Sequence, residues 1–577
     1  MKMKYSKKVF LFRSYILLSF FVLLFLSIVF RLYSLQISHA DYYKTKAVTQ
    51  YGANYHFYDR GTIFASFKDG LNFTLAGIKE TYKITTNPKF LTREDLNKLL
   101  SFLESENIDY SKRIKNLESF KNKSYFEISK NLDKQTAQKA KEYLRSQHIK
   151  YVYITPYRVR YYPANSLASH LTGFVAYNKD VLEGVYGIEK YYNYVLQRDS
   201  SDYSSNFFTE LLLNIKNISS DAQESKGDIV LSVEPNVQKE LEKILEDMRE
   251  KWSSKRVSAI VYNPNNGEII AMASSPDFNL NKFREYDVSV FENPLVENVY
   301  EMGSIIKAIT IACALDSGVI TEKSKYNDTG SKTYDGSTIY NYDKRARGVV
   351  SVQEILSQSL NIGAAWLYEK MGKKRFKECF ERLGLAEETG IDLPNEAHNL
   401  VSNLNSPRDI EFATASFGQG VAFTPISTIK ALGALATGKV AQPHLARFVI
   451  LPSGIKKEFP YKENSKKVFK DSTKERVSRM LSIVVDKALL DGKMKKEHYS
   501  VAAKTGTAQI ASPDGRYYDD KYNHTFFGYF PAFNPRFLVL FINEEPVGAK
   551  YASQTLTEPF YNMVDFLINY YNIEPDR

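Results

Sequence analysis

The chain holds a hydroxyl, two amines and an amide at spacings that suit acyl transfer. The segment Glu301-Met302-Gly303-Ser304-Ile305-Ile306-Lys307 opens a run, Ser304 to Leu315, that reads as a helix stopping at Gly318. Ser304 then stands at the helix amino terminus. Lys307 lies one turn on, at i+3, on the same side. A serine hydroxyl is a weak nucleophile until a base takes its proton. A lysine can do that when neutral, and burial or a second cation lowers its pKa. Backbone N–H groups at a helix start favour developing negative charge. A bare S-x-x-K recurs by chance in many chains and gains weight from its company. Ser359-Leu360-Asn361 lies within SQSLNIGAAWL, and Lys504-Thr505-Gly506-Thr507 lies in a strand-like run. Alone, the first reads as a helix cap or turn, the second as an edge strand with Gly506 at a bulge. A glycine in a strand also marks close approach of another backbone, which suits a peptide laid against it. The eight histidines show no metal-ligand spacing, and no glycine-rich nucleotide loop stands out, so neither metal nor cofactor is expected.

These residues need a scaffold. From Gly227 the chain reads as strand Ile229–Val233, then a helix after Pro235 with Val237, Leu241, Leu245, Met248 and Trp252 at helical spacing. Val257–Tyr262 and Glu268–Ala273, around Asn263-Pro264-Asn265-Asn266-Gly267, read as a hairpin. Val501–Ile510, Phe526–Phe530 and Phe537–Ile542 read as three further strands, and a last helix runs from about Glu558 to Tyr571. Strands at both ends with helices between predict a sheet covered by helices on both faces. Before Gly227, Thr92-Arg93-Glu94-Asp95 resembles a capping box for a helix with Leu96, Leu99, Leu100 and Leu103 on one face. The serine-rich stretches Ser200–Ser205 and Ser219–Lys226 read as loops before a domain boundary, and lysine-rich Lys456–Lys474 reads as a solvated loop. Cys313 lies in an apolar helical run, so a buried free thiol is its default. Sequence cannot place its Cα against that of Cys379.

The 577 residues suggest two to four domains. A composition 44% hydrophobic and 25% charged, with two cysteines, excludes a disordered tail, a collagen-like fibre, a disulfide scaffold and a polytopic membrane protein. The net charge of +11 is mild for this length, and no basic stripe with interleaved aromatics suggests nucleic acid. The run SYILLSFFVLLFLSIVF, Ser14 to Phe30, carries no charge. With its flanks it is long enough to span a bilayer, and Lys2, Lys4, Lys7, Lys8 and Arg13 before it place the amino terminus in the cytoplasm. A cleaved signal peptide, with Ser38-His39-Ala40 as a weak site, is the competing reading. The expected division is a cytoplasmic tail 1–13, an anchor 14–35, a non-catalytic domain 36–226 and a catalytic domain 227–577.

The order S-x-x-K, S-x-N, K-T-G resembles the penicillin-binding proteins and serine β-lactamases. Arg160-Tyr161-Tyr162-Pro163, His170 to Val175 and Gly187-Ile188-Glu189 look like the end of the non-catalytic domain of class B penicillin-binding proteins. Asn263-Pro264 with Gly267 to Ala273, and Ala415 to Gly420 with Thr424-Pro425, look like their transpeptidase domain. Arg60-Gly61-Thr62-Ile63 is similar to a segment they carry soon after the anchor. Met302 departs from the proline often found there, and few recognisable residues lie between Ala76 and Tyr151. No acidic glycosyltransferase signature is present, so the bifunctional class fits poorly.

The resemblance implies an α+β chain: one transmembrane helix, an elongated mixed pedestal domain, and a transpeptidase domain with a central antiparallel sheet covered by helices. It implies a D,D-transpeptidase of cell-wall synthesis, serving cell shape or division, that acts on peptidoglycan stem peptides and is acylated by β-lactams. A SEDS-family glycan polymerase is the implied membrane partner. Ser304 would form the acyl-enzyme and Lys307 would act as base. Ser359 would relay a proton to the leaving amine, and Asn361 would orient Lys307 and a peptide amide. Lys504, Thr505 and Thr507 would bind the terminal carboxylate, with Gly506 between them. The N–H groups of Ser304 and Thr507 would form the oxyanion hole. A D,D-carboxypeptidase, a β-lactamase and a non-catalytic β-lactam sensor or scaffold are the alternatives. The short tail 1–13 and the presence of every motif residue weigh against the last.

Overall fold

The computed structural model of the chain describes residues 7–33, 59–115, 118, 121–123, 125–178, 181–198, 226–459, 465–512 and 516–577. The candidate cleavage site at Ser38–Ala40 and the serine-rich stretches, up to residue 225, lie outside them. The apolar amino-terminal run forms helix α1 (Lys7–Tyr33). Its described side chains from 16 to 29 are exposed, Leu23 by 67%. Among the described residues no helix is long and apolar enough to cross a membrane.

The chain forms two compact units that do not follow chain order. One groups Glu80–Val159 with the chain before Asp59; the other groups Asp59–Lys79 with Arg160–Arg577. β1 (Ile63–Ser66) belongs to the larger unit, and β2 (Asn72–Thr86) contributes its first part there and its second part to the smaller one. In the smaller unit follow α2 (Arg93–Ser105), β3 (Phe126–Leu132), α3 (Lys134–Ser146) and β4 (Val152–Tyr161). The predicted cap is present: Asp95 N donates to Thr92 Oγ1 at 3.1 Å. α2 buries Leu96, Leu99, Phe102 and Leu103, whereas Leu100 is only half-buried.

The larger unit continues with β5 (Asp228–Leu231), α4 (Pro235–Trp252), β6 (Arg256–Tyr262), β7 (Ile269–Ser275), α5 (Ile306–Asp316), β8 (Ser337–Tyr340), α6 (Asn361–Arg382) and α7 (Pro425–Thr437). It ends with β9 (Ala446–Ile450), β10 (Lys456–Glu458), α8 (Asp471–Ile483), β11 (Ala502–Ala511), β12 (Tyr517–Phe530), β13 (Phe537–Glu544) and α9 (Thr557–Tyr571). The expected antiparallel sheet is there, in the order β11-β12-β13-β6-β7, with β11 at an edge. Its strands send alternate side chains to opposite faces. Val257, Ala259, Val261, Val539 and Phe541 pack with α4 and α9, and Ile260, Leu538, Leu540 and Met272 pack with α5, α7 and α8. Both faces are therefore dry.

Two readings are corrected. Cys313 is not a free thiol: it is bonded to Cys379, with the Cα atoms 6.0 Å apart. Cys313 sits in an apolar helix and Cys379 in a charged one, and only the packing of α5 against α6 brought them together. Lys456–Lys474 is not simply a loop. Residues Lys456–Glu458 pair with β9 through their backbone while their side chains face water, and α8 begins at Asp471. The fragments around Arg60, Arg160 and Glu189 meet in one buried cluster. Glu189 Oε2 accepts from Arg60 Nε at 2.5 Å and Oε1 from Arg160 Nε at 2.6 Å, all three side chains being buried. Arg160 also donates to the Gly61 carbonyl at 2.8 Å, and β1 pairs in parallel with β5. This cluster and this pairing make residues 59–79 part of the larger unit.

Candidate active site

Ser304 lies in a tight turn, Gly303–Ile305, that leads straight into α5. The turn begins at Gly303, whose φ is +59° and whose N–H donates to the Gly418 carbonyl at 3.1 Å. A Cβ there would lie 2.9 Å from the Thr507 carbonyl oxygen. Glycine is thus required both by conformation and by the approach of β11. The same contact is closed from the other side at Gly506, where a Cβ would fall 2.7 Å from the Met302 carbonyl and 2.3 Å from Thr525 Oγ1. The close approach that Gly506 foretold is to the chain's own turn at Met302, and Gly506 is regular strand rather than bulge, opposite Thr525. Thr525 Oγ1 donates to the Met302 carbonyl at 2.9 Å. Strand edge and turn are held face to face.

Lys307, fully buried on α5, points back at Ser304. Its Nζ lies 2.9 Å from Ser304 Oγ, 3.1 Å from Ser359 Oγ and 2.7 Å from the Ser359 carbonyl. A neutral amine has two N–H donors and one lone pair. Two donors to Ser359 and the lone pair towards the Ser304 hydroxyl use all three. Burial, and then the charge of Lys504, push Lys307 well below the usual lysine range. Ser359 accepts these bonds because its backbone sits at φ +54° just before α6. A residue with a Cβ held left-handed costs roughly 1–2 kcal/mol, and the surroundings hold it there: Leu360 N donates to the Ile355 carbonyl at 3.1 Å, and Arg347 Nε to Gln358 Oε1 at 3.1 Å.

Lys504, on β11, is also buried. Its Nζ reaches Ser359 Oγ at 3.3 Å and the Thr505 carbonyl at 2.9 Å. Burial pulls its pKa down to about 8. Ser359 Oγ thus bridges two amines. Ser304, Ser359, Asn361, Lys504, Thr505 and Thr507 all line one cleft of about 770 Å³ at the sheet edge, with Lys307 beneath it. Thr507 Oγ1 accepts from Ala552 N at 3.1 Å. The expected contact of Asn361 with Lys307 is not made: Asn361 Nδ2 donates to the Tyr340 carbonyl at 2.9 Å, and the bonds to Lys307 come from Ser304 and Ser359. Asn361 heads α6, where its side-chain N–H meets the carbonyl of neighbouring β8.

Spacing alone missed Thr525, Arg347, Lys344 and Lys550. The first is identifiable only from the register of β11 on β12, and the others sit on loops without pattern. Among the described residues no group of His, Cys, Asp or Glu could hold a metal ion. A hydroxyl beside a buried amine, with a second cation in an open cleft, can carry an acyl group by attack on a carbonyl next to an anionic terminus.

Comparison with known proteins agrees with that chemistry. Residues 257–564 match the model of the penicillin binding protein transpeptidase domain, and residues 58–204 that of the penicillin-binding protein dimerisation domain. The chain is 30% identical to stage V sporulation protein D of Bacillus subtilis over 434 residues, 73% of this chain and 65% of that one. It is 26% identical to peptidoglycan D,D-transpeptidase FtsI of Escherichia coli over 442 residues, 75% of this chain and 71% of that one. Among solved structures it resembles apo penicillin binding protein 3 of Mycobacterium tuberculosis, with TM-score 0.64 and 25% identity over 73% of this chain and 92% of that one. It shares its fold with penicillin binding protein 2X of Streptococcus thermophilus, with TM-score 0.71 and 19% identity over 90% of this chain and 81% of that one.

Proposed function

The chain belongs to the penicillin-binding protein transpeptidase family, and from that premise we propose that it is a serine D,D-transpeptidase that cross-links peptidoglycan stem peptides and is acylated by β-lactams. The observation that carries this is the buried Lys307 amine 2.9 Å from Ser304 Oγ, with Lys504 closing the other side. Ser304 Oγ attacks the carbonyl carbon of the penultimate D-alanine while its proton passes to neutral Lys307. The oxyanion is met by the N–H groups of Ser304 and Thr507, each donor worth about 100-fold or more in rate. The C–N bond breaks, and the leaving D-alanine amine takes a proton relayed from Lys307 through Ser359. A second peptide's amine then attacks the ester, and Ser304 regains its proton. Lys504, Thr505 and Thr507 hold the terminal carboxylate by charge and hydroxyl hydrogen bonds. Gly506 keeps that strand against the nucleophile turn. Asn361 meets the peptide from the α6 side of the cleft.

The catalytic domain is 227–577, with 36–226 as the non-catalytic domain, and 14–35 anchors both to the cell membrane. The tail 1–13 is cytoplasmic and the active site extracytoplasmic. Uncharged Ser14–Phe30 behind five basic residues supports this topology, and the exposed apolar side chains of α1 support a lipid-facing role. The family resemblance supports a SEDS-family polymerase as membrane partner. The test is to supply the full chain in detergent with uncross-linked glycan strands. Cross-linked dimers that vanish in Ser304→Ala are expected. Release of D-alanine with no dimer would make it a carboxypeptidase, and no turnover would make it a sensor or scaffold.

A further inference from the structure

Three lysines and, among the described residues, no carboxylate line the cleft around Ser304. Lys504 is engaged at the nucleophile, but Lys344 and Lys550 are exposed. Neither has an acidic partner among the described residues: the Lys344 ammonium lies 5.4 Å from the Tyr340 ring centroid and that of Lys550 lies 5.7 Å from Tyr551. The segment bearing Lys344 is built with care. Lys344 adopts φ +58°, and its N–H donates to the Asn341 carbonyl at 2.9 Å. Buried Asn341 Nδ2 donates to both oxygens of buried Asp328 at 2.9 Å. The loop's own carboxylate, Asp343, is taken by Arg347 in a two-pronged pair at 2.7 Å, so it cannot neutralise Lys344. Tyr342 of this loop meets Tyr551, the neighbour of Lys550, edge to face at 6.1 Å. The two lysine-bearing segments therefore come together at the cleft.

Unpaired cations in a concave site with no opposing charge focus a positive potential on whatever enters. We infer that the cleft selects acidic donor peptides, bearing free side-chain carboxylates besides the terminal one, and that Lys344 and Lys550 bind those carboxylates. This rests on the donor-peptide reading of the cleft above and names its substrate class. Amidating the carboxylates removes the charge at nearly constant size. An exposed ion pair is worth up to about a fivefold effect and is screened by salt.

The test measures acylation of the full chain in detergent by two peptides ending in D-Ala-D-Ala, one with free side-chain carboxylates and one with the same groups amidated. In the unmodified protein kcat/KM favours the acidic peptide by up to about fivefold for each lysine at low salt, and the preference fades toward 1 M salt. Lys344→Gln with Lys550→Gln brings the ratio of the two peptides near one, and Lys344→Arg with Lys550→Arg restores it. Equal rates for the two peptides in the unmodified protein, or a ratio unmoved by the glutamine pair, overturn the inference. Penicillin labelling of the unmodified protein is read alongside. If label is taken but the peptides are not distinguished, only the lysine assignment falls; if no label is taken, the reading of Ser304 falls first.

Discussion

Two lysines in one site are set apart by their surroundings, and this gives the enzyme a pH signature. In the proposed mechanism Lys307 works as a neutral amine, and burial, then the positive charge of Lys504, push its pKa in that direction. Lys504 works as a cation, and burial alone brings it to about 8. Acylation by a D-Ala-D-Ala peptide is therefore expected to rise with pH as Lys307 loses its proton and to fall again above about pH 8 as Lys504 does. Stopped acylation assays across pH check this; a profile that climbs without a break to pH 10 contradicts the role of Lys504. Lys307→Ala is expected to acylate at least 100-fold more slowly, since loss of a general base costs about 10²–10⁴. A near-normal rate measured with fluorescent penicillin would exclude it as base. The types and order of Ser304, Lys307, Ser359 and Lys504 were legible in the sequence, and the structure brings these four side chains together. The sequence misdirected Asn361, whose side chain is captured by a carbonyl of β8 that no local pattern announces.

At the scale of elements, the site is a join between the edge strand β11 and the turn that starts α5. Gly506 and Gly303 allow the two backbones to touch, and Thr525 from the next strand fixes the turn's carbonyl. Gly506→Ala would press a methyl against the Met302 carbonyl and Thr525 Oγ1. Overpacking of this kind costs about 1–3 kcal/mol, and a displacement near 1 Å at the nucleophile costs about 100-fold in rate. The expected outcome is a folded protein with strongly slowed penicillin acylation, read by labelling rate against melting temperature. An unchanged rate would mean that strand and turn are not held by this contact. The strands and the hairpin could be read from their short apolar runs and turn residues, and α4 and α9 from helical spacing. The Cys313–Cys379 bond between α5 and α6 could not, since local helical spacing gives no information on which faces of two helices meet.

At the scale of the whole chain, remote sequence fragments are tied into one unit by the Arg60–Glu189–Arg160 cluster. Glu189→Gln removes the shared counter-charge of two buried guanidinium groups. Breaking a buried pair this way typically costs about 3–5 kcal/mol, so a marked loss of stability in urea titration is expected, and a loss below about 1 kcal/mol would show that the cluster is not holding the unit. Residues 59–79 read as belonging to the first half of the chain, because sequence shows order but not the partner of a parallel strand; Ile63 of β1 pairs with Ile229 of β5, 166 positions on. If α1 is the anchor, removing residues 1–33 moves the protein from the membrane to the soluble fraction without altering penicillin acylation, and retention in the membrane would place the anchoring elsewhere. All of this serves one covalent event, and the most direct measurement is peptide mapping of the protein after exposure to penicillin. The adduct is expected on the peptide containing Ser304 and absent from Ser304→Ala; an adduct on any other residue, or none on a folded protein, contradicts the account.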